Sequence, residues 1–360
     1  MTKTIAFTPN NPRLLEDKDE ILERLMGHLE SLRLAKRAAR APETGPDEPA
    51  KEEEPLVSYE DRKRLMAWSR AIADRRALKN GLGHLRPEDR RRLLRAPREM
   101  RLDGPTDAHR ADEIAAILFE ESPWLRPAID VIWRDMRRNA SAGLGLKFRP
   151  ILLDGPPGIG KTHLARRLGE LTRVPSLNFD VGSSSEGFRI AGLPRGWGTA
   201  HPSEVVETIL STGCANPIVF VDEIDKSGTM YSTRGTSTSV VSALLPLLEP
   251  RSAAAWSCPY FQIVFDMSHV NWILASNFAA LIPEPLRTRV HIVHLAGMGH
   301  GDLVAAAKRA CEVRDLPTEA VDDIQTVLAA IPAGHTSLNM RTLSRLLADR
   351  EEMERRPRLN

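Results

Sequence analysis

Apolar positions recur along this chain with two different periods, and the change of period divides it. From Leu14 to Arg40 they fall at helical spacing, with Leu15, Ile21, Leu22, Leu25, Leu29 and Leu32 forming a stripe along a charged helix. That stripe needs a surface to pack on, and it assigns residues 1–40 to an N-terminal helical segment. Residues 41–57 are rich in Pro and Glu with almost no apolar side chains, the composition of an extended, solvated linker that detaches the first helix from the rest. Helical character returns over 58–104. From Asp112 to Arg138 the residues Ile114, Ile117, Leu118, Trp124, Ile129, Ile132 and Trp133 recur as a core face. The period then changes. Ile151-Leu152-Leu153, Ile218-Val219-Phe220-Val221 and Trp272-Ile273-Leu274-Ala275 are short continuous apolar runs, the pattern of strands buried on both faces.

Two of those strands end in chemistry. After the first comes Gly155-Pro156-Pro157-Gly158-Ile159-Gly160-Lys161-Thr162, a full match to the phosphate-binding loop G-x-x-x-x-G-K-[ST], and His163 opens the helix that follows. In such a loop the glycines turn backbone N–H groups toward phosphates and the helix N-terminus adds partial positive charge. Lys161 reaches the β- and γ-phosphates, and the Thr162 hydroxyl is placed to ligate Mg²⁺. The second strand ends in Asp222-Glu223. Asp222 is the expected Mg²⁺ partner, and Glu223, near the metal but not on it, is the expected base that polarises a water. Together the two motifs predict ATP and Mg²⁺ as ligands and an α/β parallel sheet of the P-loop type flanked by helices.

Composition narrows the picture only a little. The 360 residues allow two or three domains, and a formal charge of +2 demands no polyanionic partner. The balance is uneven, however: Arg62, Lys63, Arg64, Arg75, Arg76, Arg90, Arg91, Arg92, Arg95, Arg98 and Arg101 make the 58–104 region strongly basic, either a solvated face or a contact for nucleic acid or an acidic protein. Cys214, Cys258 and Cys311 lack metal-ligand spacing and read as buried thiols. The N-terminus has no apolar signal region and no apolar run approaches a membrane span, so a cytoplasmic location and no membrane partner are expected.

The order and spacing of the later motifs carry a family resemblance. Asp222-Glu223-Ile224-Asp225-Lys226, then Leu244-Leu245-Pro246-Leu247-Leu248-Glu249-Pro250, then Ala275-Ser276-Asn277 followed by Ile282-Pro283-Glu284-Pro285-Leu286-Arg287-Thr288-Arg289, resemble the AAA+ ATPase module of the Lon protease family over roughly 119–347. The resemblance implies that Asn277 is sensor 1, that Arg289 or Arg287 is the arginine finger given to a neighbouring subunit, and that Arg341 is sensor 2 on a small helical lid. It also implies that Trp197, in Gly192-Leu193-Pro194-Arg195-Gly196-Trp197-Gly198, stands where the family has a pore-facing aromatic that grips polypeptide. Residues 227–239 read as a mobile loop beside the catalytic strand. Nothing after the lid resembles the family's serine-lysine peptidase.

The expected organisation is an α/β nucleotide-binding domain over 105–295, a helical lid over 296–350 and a charged tail over 351–360. The expected activity is Mg-ATP hydrolysis by a homo-oligomer, six-membered by family analogy, that threads a protein client without its own peptidase. Two other readings stand beside it: an ATPase linked to nucleic acid through the basic segment, and a nucleotide-gated assembly scaffold.

Overall fold

The computed structural model describes residues 3–8, 18–40, 55–79, 81–97, 99–181, 186–195, 200–226 and 240–355. They fall into two compact units, one within Pro9–Arg98 and the other within Met1–Thr8 and Glu99–Asn360.

In the smaller unit, helices α1 (Lys18–Arg40) and α2 (Tyr59–Lys79) pack on each other. The first helix is therefore not detached, as its sequence context suggests, but paired. Arg33 ties it down by donating to Leu56 O at 2.7 Å and Asp61 Oδ2 at 2.6 Å. That guanidinium, helped by the Ser58 hydroxyl and amide, holds the Asp61 carboxyl well below the usual carboxylate range. The stripe is used unevenly. Ile21 is buried and Leu22, Leu25 and Leu29 are half-buried, but Leu32 is exposed; Leu15 and most of 41–57 lie outside the described residues. Helix α3 (Pro87–Arg95) starts on Pro87 with Glu88 and Asp89 in its first turn and Arg92 and Arg95 in its last, a charge order that complements the helix dipole.

The basic region is not helical to its end. Strand β1 (Thr4–Ile5) pairs antiparallel with β2 (Met100–Arg101), so Arg101 belongs to the larger unit, where its N–H also donates to Gly213 O at 2.7 Å. The physical boundary thus lies at 98/99 rather than 104/105. Helix α4 (Ala108–Glu121) begins where the Asp107 carboxylate accepts from Arg110 N at 2.8 Å, and α5 (Arg126–Ser141) packs against it.

The chain then alternates between strand and helix: β3 (Ile151–Asp154), α6 (Lys161–Thr172), β4 (Ser176–Asp180), α7 (Glu186–Ala191), α8 (Glu204–Thr212), β5 (Ile218–Asp222), α9 (Val240–Leu248) and α10 (Pro250–Ala253). A short ribbon, β6 (Trp256–Ser257) with β7 (Val264–Phe265), precedes β8 (Asn271–Ser276), α11 (Glu284–Arg287) and β9 (His291–His294). Five strands form one parallel sheet in the order β4-β5-β8-β3-β9. Its middle strands are buried almost throughout, which explains their unbroken apolar runs.

At the N-terminal end of the sheet two buried asparagines close the backbone. Asn216 Nδ2 donates to Asp103 O at 2.7 Å and Leu146 O at 2.8 Å, and Asn271 Nδ2 donates to Asn216 O at 2.9 Å. Lys147 is buried there too, bonded to Ser268 O and Val270 O, and burial pushes its pKa down to about 8.

Helices α12 (His300–Val313), α13 (Thr318–Ala329) and α14 (Met340–Arg355) follow the sheet and share its core through Leu303, Cys311, Ile324, Leu343 and Leu347. The charged stretch expected to be a tail from 351 continues α14 to Arg355, because Arg350 pairs with Glu354 at 3.0 Å and Arg314 with Glu351 at 2.6 Å. All three cysteines are buried and free. Among the described residues no helix is long and apolar enough to cross a membrane.

Candidate functional site

Strands β3 and β8 end side by side, Asp154 opposite Ser276, and β5 ends two strands away from β3 with Asp222. The C-terminal edge of a parallel sheet gathers ligand-binding loops, and the candidate residues converge there. The loop after β3 turns on Gly158 at φ 77° and Gly160 at φ 95°, conformations that glycine adopts without strain. It is held from three sides. Gly155 N donates to Ser276 O at 3.2 Å, the indole N–H of Trp124 donates to Ile159 O at 2.7 Å, and Met340 N donates to Gly158 O at 2.9 Å. A Cβ on Gly158 would meet Asn339 Cβ at 3.0 Å, tighter than ordinary contact, so a side chain here would press on the residue that opens α14.

Lys161 sits at the centre, 7% exposed. Its ammonium faces Gly155 O at 2.5 Å, Asn277 Oδ1 at 3.0 Å, and Pro156 O and Ser276 O at 3.2 Å each. Burial lowers its pKa, and Asp222 and Asp154 oppose that shift. Thr162 Oγ1 donates to Asp222 Oδ2 at 3.0 Å, while Asp222 Oδ1 accepts from Glu223 N at 2.9 Å. Glu223 has φ 54°, a left-handed conformation that costs energy for a side chain of this size. Its carboxylate is engaged by Lys226 Nζ at 2.7 Å, which raises the lysine's pKa.

These residues line a cleft of about 510 Å³, together with Pro157, Gly158, Gly160, His163, Asn277, Met340, Arg341, Ser344 and Arg345. His163 Nδ1 lies 3.1 Å from Arg166 Nη2, and desolvation followed by the Arg166 charge holds its pKa below the ordinary histidine value. Gly155, Pro156 and Ile159 complete the loop behind this lining.

The donor set fits a magnesium-bound nucleoside triphosphate. It offers a glycine cradle at the start of a helix and an ammonium surrounded by oxygens that phosphates would replace, with an adjacent hydroxyl-carboxylate pair of hard oxygens. Among the described residues no three His, Cys, Asp or Glu side chains cluster as a metal site. A cation at Thr162 and Asp222 would take its remaining ligands from phosphates and water.

Arg289 is placed differently. Its Nη1 donates to Pro285 O at 2.7 Å and its Nε lies 4.0 Å from Glu249; neither it nor Arg287 lines the chain's own cleft. Trp197 and the 227–239 stretch lie outside the described residues.

Four contributors escape the sequence reading. Asp154 accepts from Ala279 N at 2.8 Å and pairs with His294 Nδ1 at 2.9 Å, pinning the turn after Asn277; a carboxylate ending an apolar strand directly before the loop is a signal that could have marked it. Arg345 shares Arg341's face of α14, four residues on, and that spacing could have marked it as well. Trp124 looks like core by periodicity, and Asn339, whose Oδ1 accepts from Thr342 N at 3.0 Å, caps α14, so an asparagine just before a helix is a signal that could have marked it.

Residues 151–297 match the family described as "ATPase family associated with various cellular activities (AAA)". The Lon protease homolog 1, mitochondrial, of Arabidopsis thaliana is 36% identical over 147 residues, 41% of this chain and 15% of that protein. The mitochondrial Lon protease homolog of Homo sapiens is 34% identical over 155 residues, 43% of this chain and 16% of its own length. The chain thus spans less than a fifth of these relatives. Among solved structures, a chain of the closed state of Hsp104 with ATPγS and FITC casein superposes with a TM-score of 0.51 at 14% identity, covering 81% of this chain and 51% of that one, a likeness of fold. A five-stranded parallel P-loop sheet, a phosphate loop locked to its neighbours and this extent of similarity lead to one conclusion: the chain carries an AAA-family ATPase domain that resembles the AAA region of Lon proteases.

Proposed function

We propose that this chain hydrolyses Mg-ATP as a homo-oligomer and uses the cycle to remodel or thread a protein client. The observation that carries the reading is the convergence of Lys161, Asn277, Thr162 and Asp222 within hydrogen-bond distance at the end of the sheet. In this reading the backbone of 155–162 and the N-terminus of α6 bind the phosphates, with Lys161 leaving its four protein oxygens for them. Thr162 and Asp222 would hold Mg²⁺, which would supply charge that neutralises the phosphates. Glu223 exchanges Lys226 for the attacking water and polarises it, and its strained backbone fits a residue held for chemistry rather than stability. Asn277 orients that water, while Arg341, with Arg345 beside it, brings cationic charge from the lid. Arg289, turned away from its own cleft, serves the cleft of the next subunit.

Glu223→Gln and Lys161→Ala test the reading. Glu223→Gln should keep nucleotide binding and lose turnover by roughly 10²–10⁴-fold, as expected for removal of a general base. Near-normal hydrolysis in that variant contradicts the assignment. Client remodelling rests on the resemblance to Lon alone, and stimulation of ATP turnover by an unfolded protein is its test.

One observation favours a second partner class. Residues 55–98 hold thirteen Lys and Arg against five Asp and Glu, and Trp68 stands 64% exposed on α2 with Arg64 and Arg75 exposed on the same helix. Guanidiniums around an exposed aromatic suit single-stranded nucleic acid. Binding of a labelled oligonucleotide that weakens steeply with salt supports this reading, and absence of binding at low salt removes it.

A further inference from the structure

Three segments meet at Asn339, and both ends of its side chain are used. Nδ2 donates to Thr336 O at 2.7 Å, which holds the connection arriving from α13, and Oδ1 accepts from Thr342 N at 3.0 Å, which caps the first turn of α14. Met340 N, one of the first-turn donors that a helix cannot satisfy by itself, donates to Gly158 O at 2.9 Å in the phosphate loop. Behind this corner Leu338, Leu343 and Leu347 are buried in the core that the lid shares with the sheet. In front of it Arg341, Ser344 and Arg345 line the nucleotide cleft. Among the described residues the two arginines hold no hydrogen bond or ion pair, so the helix backbone sets where they point. They differ in what supports that backbone. Arg345 lies one turn into the helix, between Leu343 and Leu347, whereas Arg341 is the second residue of α14, in the turn that frays first without a cap. Burial first, and the Arg341 charge with it, lower the pKa of Lys161, so the field of this guanidinium reaches the ammonium at the centre of the cleft.

We infer that Asn339 is a positioning residue for the nucleotide cleft, fixing the first turn of α14 against the phosphate loop so that Arg341 is aimed at bound phosphates. The cap and the bond from Met340 to Gly158 are one arrangement, because Met340 N keeps its direction only while the turn that starts at Asn339 is wound. Without the cap Thr342 N–H loses its acceptor, the turn unwinds for part of the time, and Arg341 spends that time away from the cleft. Arg345, a turn deeper and flanked by buried leucines, stays where it is. The inference rests on the reading that the cleft holds Mg-ATP, and it adds to that reading the residue that joins lid to loop.

Turnover of the full chain at saturating Mg-ATP, measured through double-mutant cycles, tests it. Asn339→Ala should lower kcat about fivefold, the change that corresponds to loss of one helix cap, while Asn339→Ser, which keeps a capping oxygen, should recover most of it. In an Arg341→Ala background Asn339→Ala should cost less than about twofold, because the group it positions is gone, and in an Arg345→Ala background it should keep its full effect. A general loss of stability would not distinguish the two arginines. Should Asn339→Ala misfold, Asn339→Gln, whose longer side chain carries its amide past Thr342 N, takes its place in the same cycles. Wild-type turnover in the folded variant overturns the inference, as does a loss that persists undiminished without Arg341, one that vanishes without Arg345, or one that Asn339→Ser fails to restore. A wild-type chain that neither binds nor turns over ATP sinks the ATPase reading instead, and hydrogen exchange of the empty protein then decides whether Asn339 fastens helix to loop. Faster exchange of the Met340 amide in Asn339→Ala than in wild type supports the fastening, and equal exchange overturns it.

Discussion

Around Lys161 the chain satisfies itself: four oxygens face one ammonium, Thr162 bonds Asp222, and the phosphate loop is tied to β8, Trp124 and α14. Thirteen residues along from Ser276, at Arg289, the same wall of the molecule does the reverse. Among the described residues Arg287 and Arg289 each bury an Nε without a hydrogen-bond partner, and Phe278 and Leu281 are exposed. Buried polar atoms in folded proteins are nearly always paired, so these two Nε groups set the second region apart from the saturated surroundings of the Lys161 ammonium. The difference separates what one chain can do from what needs two: binding belongs to the first region, and turnover, in the proposed reading, to both.

Breaking the first region should have the largest effect. Lys161→Ala removes the only ammonium among the described residues of the cleft lining, and nucleotide affinity, measured calorimetrically, should fall by roughly 100-fold or more, given that charged hydrogen bonds contribute about 1.5–3 kcal/mol each. Affinity within a few fold of wild type would move the phosphates elsewhere. In the second region, Arg289→Ala should leave affinity within a few fold and lower turnover by roughly 10³-fold, because a finger acts on charge that develops only during transfer. A loss of affinity with turnover intact would make Arg289 part of its own cleft.

Asp154 joins the two regions, and its variants sharpen the contrast. Asp154→Ala should lower turnover by about tenfold through misplacement of the Asn277 turn while affinity changes little, whereas Asp154→Asn, which keeps an acceptor for Ala279 N, should recover part of the loss. Equal losses in both variants would point to charge rather than positioning. The smallest effect is expected at Trp124. Trp124→Phe keeps the ring and removes one hydrogen bond to Ile159 O, so unfolding experiments should show a loss of about 1 kcal/mol. No change would mean that the bond does not steady the loop.

The legible part of this molecule is the part in which local backbone demands a residue type. Gly158 and Gly160 are readable because φ of 77° and 95° favours them, and the middle strands are readable because burial on both faces confines polar residues to their ends, as at Asn271, Ser276 and Asp222. Asp222 and Glu223 follow from their place at the end of such a strand. Trp124 is not readable: its apolar body obeys the helical period of a core face, and only the tertiary fold shows its N–H on the phosphate loop. The pairing of α1 with α2 was hidden for a similar reason, since a Pro/Glu-rich segment says nothing of where the chain returns. Arg101 looked like the end of a basic helix because its strand partner, Thr4, is nearly a hundred residues away.

The central claim is that one chain's cleft is completed by another chain's arginine. Mixing Lys161→Ala with Arg289→Ala subunits tests it most directly, because each protein alone should be inactive for a different reason. In mixed oligomers an Arg289→Ala subunit keeps an intact cleft, and a Lys161→Ala neighbour can supply the missing guanidinium, so ATP turnover should return in part and peak near equal proportions. Mixed oligomers that form, as shown by energy transfer between labelled subunits, and yet remain inactive at every ratio would contradict the claim.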